Sequence, residues 1–108
     1  MRPFDDLVEE ASVAAIHGWH FSWLEGRATE QRPSWHFHER VGERAASATR
    51  MLELQSGDGA LLAGLPLRPE FFVASDAYEP NVAIAAAHLP HVIAMDDHAL
   101  AFRNDAFD

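Results

Sequence analysis

The chain has 108 residues, enough for one small domain, and its 48% hydrophobic content excludes a disordered chain. Seventeen acidic against 8 basic residues give a formal charge of -9, which repels phosphate backbones and argues against a nucleic-acid binder. It has no cysteine for disulfides or thiolate metal sites, no apolar run of a signal peptide and no membrane span of roughly 18 apolar residues, so a soluble, cytoplasmic protein is expected.

The first predicted element is a helix whose face carries Phe4, Leu7, Val8, Ala11 and Ala15, with Asp5 and Asp6 in the turn that the helix dipole favours. His17-Gly18 is expected to end it, and a loop from Trp19 to Pro33 follows. A second helix is predicted from Ser34, a candidate N-cap, to Thr49, with Phe37, Val41, Ala45 and Ala48 as its apolar stripe. The pattern then changes near Arg50, which separates a helical, aromatic lead-in (1–49) from the remainder (50–108). Three apolar runs follow: Met51 to Leu54, Phe71 to Ala74 and Val92 to Met95. Between them lie helix-compatible segments, Gly59 to Leu65 and Pro80 to Leu89, the second opened by a proline that suits a first helical turn. Continuous apolar strands alternating with helices predict an α/β class, the first β-α-β-α-β half of a doubly wound parallel sheet.

The segment Met51-Leu52-Glu53-Leu54-Gln55-Ser56-Gly57-Asp58-Gly59 is a strand ending in a carboxylate, a glycine-containing turn and a helix start. Gly57 and Gly59 allow a ligand to approach the backbone where a Cβ would collide. A dinucleotide site keeps its helix N-terminus bare for a pyrophosphate. Glu53 and Asp58 would oppose one. They suit a ligand with an ammonium, a sulfonium and no phosphate, and S-adenosylmethionine is such a ligand.

This stretch resembles motif I of class I S-adenosylmethionine-dependent methyltransferases, an acid followed by spaced glycines. Glu53 takes the acidic position, Gly57 and Gly59 the second and third glycines, and Gln55 stands where the first glycine is expected. Phe71-Phe72-Val73-Ala74-Ser75-Asp76 ends in a second acid, nineteen residues after Gly57. The resemblance makes Asp76 the acceptor for the ribose hydroxyls, and sets Tyr78 against the adenine. The third stretch, Ile93-Ala94-Met95-Asp96-Asp97-His98-Ala99-Leu100-Ala101-Phe102, resembles the family segment after strand three, with Ala101 in place of the usual proline. By that likeness Asp96 accepts from the adenine amino group, and the backbone N–H of Asp97 faces a ring nitrogen. Gly18-Trp19, Phe21-Ser22-Trp23-Leu24 and Arg32-Pro33-Ser34-Trp35 resemble the lead-in of a bacterial, largely actinobacterial, subgroup.

The resemblance implies a Rossmann-like methyltransferase fold with an incomplete parallel sheet, S-adenosylmethionine as cofactor, and a small-molecule or unidentified methyl acceptor. Asp108 falls where strand four should begin, so no catalytic residue is assigned and the isolated chain is expected to have little transferase activity. Its first strand would be an exposed apolar edge, open to self-association. Two alternatives remain: a non-catalytic, degenerate methyltransferase-like binding module, and an NAD- or nucleotide-binding Rossmann protein. The seven histidines show no ligand spacing, since His36 and His38 would point to different helix faces, and no metal is expected. Trp19, Phe21, Trp23 and Trp35 are expected to pack in a core or lid rather than form a substrate cage.

Overall fold

The computed structural model describes residues 1–16 and 21–108. The predicted helix stop at His17-Gly18, with Trp19 and His20, lies outside the described residues. The chain divides into two compact units, Met1–Gln31 and Arg32–Asp108.

In the first unit, helix α1 spans Phe4–Val13 and buries none of its residues. It ends before Ala15, because Ala14 already has an extended backbone. Its carboxylates do more than its apolar face: Glu10 receives both Arg2 and Arg27. Hydrogen bonds from Arg2 first, and then Arg27, hold the Glu10 carboxyl below its ordinary range. A short 3-10 turn covers Ser22–Leu24, and the Arg27 guanidinium lies 4.6 Å from the Trp23 ring centre. Phe21, expected to pack in a core or lid, is half exposed.

In the second unit, helix α2 spans Phe37–Ser47 rather than starting at Ser34. His36 holds the N-cap position, and no side chain caps the helix. At this entry the Trp35 and Phe37 rings meet edge to face, with centroids 6.3 Å apart. Such a ring pair contributes about 0.5–1.5 kcal/mol beyond its area burial. Both rings stay largely exposed, so Trp35 is not core.

Strand β1 (Arg50–Glu53), helix α3 (Ala60–Gly64), strand β2 (Phe71–Asp76), helix α4 (Glu79–Ala86) and strand β3 (Val92–Ala94) follow in the predicted alternation. The strands form one parallel sheet in the order β1-β2-β3, with Met51 opposite Phe72 and Ser75 opposite Ile93. The architecture is therefore mixed α/β, compatible with a Rossmann-like half-fold. Pro80 sits in the first turn of α4 as expected, although that helix ends at Ala86, before Leu89.

Burial explains the arrangement. Ala45 of α2, Leu62 of α3, Phe72 and Ala74 of β2, and Ala85 and Leu89 at α4 form one core cluster. Ala45 thereby ties α2 to the sheet, so the compact unit begins at Arg32 instead of near Arg50. The other face of β2 is also closed, with Val73 and Ser75 buried. The Phe107 ring stacks parallel to Phe71 at 6.4 Å, and Phe102 meets Phe107 edge-on at 4.9 Å. The same segment then reaches β1, where the Asp108 N–H donates to the Arg50 carbonyl at 3.0 Å. β1 lies at the sheet edge, as expected. Among the described residues, no helix is long and apolar enough to cross a membrane.

Candidate functional site at the carboxyl edge of the sheet

Parallel strands all deliver their C-terminal ends to one edge, and the loops that follow meet there. The first of these loops needs unusual backbone. Gln55, Gly57 and Gly59 all have positive φ, at 54°, 59° and 79°. Gln55 thus stands, without being glycine, in a conformation that glycine adopts more easily.

Two serines hold the loop to β2, through backbone and side chain. The Ser56 N–H donates to the Ser75 carbonyl at 2.8 Å, and the Ser75 hydroxyl donates to the Glu53 carbonyl at 3.1 Å. Sequence reasoning passed over both serines, Ser75 directly after its apolar run and Ser56 two residues after its own.

Asp76 has a structural duty. One carboxylate oxygen accepts the Gly57 N–H at 2.9 Å and the other accepts the Tyr78 N–H at 2.8 Å. The residue is only 6% exposed. It therefore clamps the glycine turn to the end of β2. Each oxygen keeps one lone pair for a further donor.

Gly59 is also committed. A Cβ there would lie 2.7 Å from Leu89 Cδ1 and 3.1 Å from the Ala85 methyl. The missing side chain lets α3 start against α4. Close approach of a ligand is not what this glycine provides.

The remaining predicted residues meet across the edge. The Gln55 side-chain amide donates to Asp97, which joins the loop after β1 to the loop after β3. Asp96 is exposed and accepts the His98 N–H at 2.8 Å, a local turn. Tyr78 is 56% exposed. Glu53 Oε2 and Asp97 Oδ1 are buried without a hydrogen-bond partner. Burial pushes the Glu53 carboxyl above its ordinary range; Ser56 pulls the other way, and the charge of Asp58 adds to the rise.

Asn81, not singled out from sequence as a site residue, lies in the first turn of α4, 1% exposed, with Oδ1 unpartnered. Its only signal was a polar residue inside an apolar helix. Among the described residues, no group of three or more His, Asp or Glu side chains is placed to hold a metal ion.

No protein-family model, curated protein or solved structure matches the chain.

Proposed function

We propose that residues 50–108 are the cofactor-holding half of a class I S-adenosylmethionine-dependent methyltransferase domain, working in the cytoplasm on a small or unidentified acceptor. One observation carries the reading. At an edge where each strand leads into an acid, two carboxylate oxygens, on Glu53 and Asp97, are buried with nothing to accept from. Buried acceptors are normally satisfied. An ammonium or amino group supplies the missing donors, whereas a phosphate would add repulsion. The acceptor set therefore fits an adenosyl sulfonium better than a dinucleotide.

On this reading Glu53 receives the ligand ammonium. Asp76 offers its two remaining lone pairs to the ribose hydroxyls, and Tyr78 lies against the ring. Asp96 accepts from the adenine amino group, beside the backbone N–H of Asp97. Gln55 and Gly57 shape the turn, and Gly59 keeps α3 packed behind it. When bound, the cofactor supplies an electrophilic methyl carbon. The chain contributes position and charge, which is how such transfers gain most of their rate.

A second reading, a degenerate module that has kept the fold without the chemistry, is favoured by the engagement of both Asp76 oxygens with backbone N–H groups. Calorimetry separates the two. S-adenosylhomocysteine is expected to bind and NAD to bind more weakly, and Glu53→Gln or Asp97→Asn is expected to weaken S-adenosylhomocysteine at least tenfold. Absence of heat with S-adenosylhomocysteine would favour the degenerate module, and tighter binding of NAD would overturn the cofactor assignment.

A further inference from the structure

β1 and β3 are not neighbours, because β2 lies between them. Adjacent strands sit about 4.8 Å apart, so the ends of β1 and β3 are separated by roughly 10 Å. The loops that follow these two strands close that distance with a side-chain contact, the Gln55 amide donating to an Asp97 carboxylate oxygen. The contact therefore crosses the carboxyl end of β2, which finishes at Ser75 and Asp76.

The two loops do not need this contact to stay in place. The loop after β1 is already held to β2, through the Ser56 N–H on the Ser75 carbonyl and the Gly57 N–H on the Asp76 carboxylate. The segment after β3 has its own anchor, the Met95 N–H on the Asp76 carbonyl at 3.1 Å. Gln55 itself is exposed, so its side chain can leave Asp97 without uncovering a core.

The contact also satisfies its acceptor poorly. One Asp97 oxygen takes the Gln55 amide, while the other is buried with no partner. Gln55 meanwhile holds φ 54°, a backbone region that side chains with a Cβ disfavour. A ligand carrying an amino group would serve the Asp97 carboxylate better than this one neutral amide does.

The path of the contact is also the path of the ligand. On the proposed cofactor reading, on which this inference rests, the ammonium lies at Glu53 after β1, the ribose at Asp76 after β2 and the adenine at Asp96 and Asp97 after β3. A molecule laid from the first acid to the third runs along the line that the Gln55 side chain occupies.

We propose that Gln55 is an autoinhibitory strap: its contact with Asp97 closes the cofactor edge, and the side chain must swing away before an adenosyl ligand can enter. Strap and ligand exclude one another, so the closed fraction lowers the observed affinity in proportion. Release returns both Asp97 oxygens to the ligand. A residue too short to reach Asp97 leaves the edge open.

The test uses the whole 108-residue chain, titrated with S-adenosylhomocysteine by calorimetry beside Gln55→Gly and Gln55→Asn. Asparagine tolerates a positive φ better than most residues but is one methylene too short for the span. Both variants are expected to bind about three- to tenfold more tightly than the wild type, the scale of one net hydrogen bond. In the nitrogen-15-labelled wild type, the Gln55 side-chain amide resonances should move on saturation toward those of a solvated amide. Circular dichroism checks that the variants fold. Tightening by only one variant would tie the gain to that residue's backbone and overturn the strap, as would Gln55 amide resonances that stay unmoved in the saturated wild type. Wild-type binding with equal or weaker binding by both variants would overturn the strap and leave the cofactor assignment standing. No binding by any of the three proteins would overturn the cofactor assignment, and the strap with it.

Discussion

At the residue scale, Glu53 and Asp76 differ in how their oxygens are satisfied. Glu53 is partly buried with an unsatisfied oxygen, and its folded-state pKa is raised. A raised carboxyl binds its proton more tightly in the folded state, so its ionisation costs stability once the pH exceeds the ordinary carboxylate range. Glu53→Gln is therefore expected to stabilise the ligand-free fold at neutral pH by a few tenths of a kcal/mol, discounted for partial exposure. The change should shrink as pH falls into the ordinary range, which urea midpoints measured across pH would reveal. Asp76 instead has both carboxylate oxygens accepting backbone N–H groups. Removing it by Asp76→Ala leaves the buried Gly57 N–H and the part-buried Tyr78 N–H without their acceptor and should cost about 2–3 kcal/mol in urea unfolding. The residue types at this edge were legible from the spacing of acids and glycines. Their partners were not, because a carboxylate after a strand can equally well face a ligand or a neighbouring loop's backbone.

At the element scale, the strands were the easiest to read, since Phe71–Asp76 and its neighbours are short apolar runs bounded by turns. Helix ends were harder. α2 begins at Phe37, with His36 and not Ser34 at the N-cap, and α1 stops at Val13, where the backbone turns extended at Ala14. Two substitutions test how the elements are joined. Leu62→Ala empties a fully buried position in α3 and should cost about 2–5 kcal/mol. Gly59→Ala forces a methyl toward Ala85 and Leu89 at a positive φ, and should cost about 1–3 kcal/mol. A neutral Gly59→Ala in thermal melts would show that α3 and α4 pack less closely than described.

At the scale of the whole molecule, the segment ending at Asp108 closes over the sheet and returns to β1. Hydrogen bonds from the Thr49 side chain first, and then from the Arg50 and Thr49 backbones, hold the Asp108 carboxyl below its ordinary range. A depressed carboxyl contributes stability that is present above the unfolded value and lost as the pH falls through the folded one. Asp108→Asn should therefore lower the unfolding midpoint above about pH 4 and converge with the wild type in stronger acid. The sequence by itself determined the strand–helix alternation, the acids that follow each strand, the absence of thiol chemistry and the negative charge. These are local or compositional properties, carried by residue type and spacing. Only the tertiary structure decided that Asp76 and Gly59 serve the fold, that Gln55 reaches Asp97, and that Asp108 returns to Arg50. Such pairings join residues far apart in the chain, and their energies depend on which groups burial leaves without water.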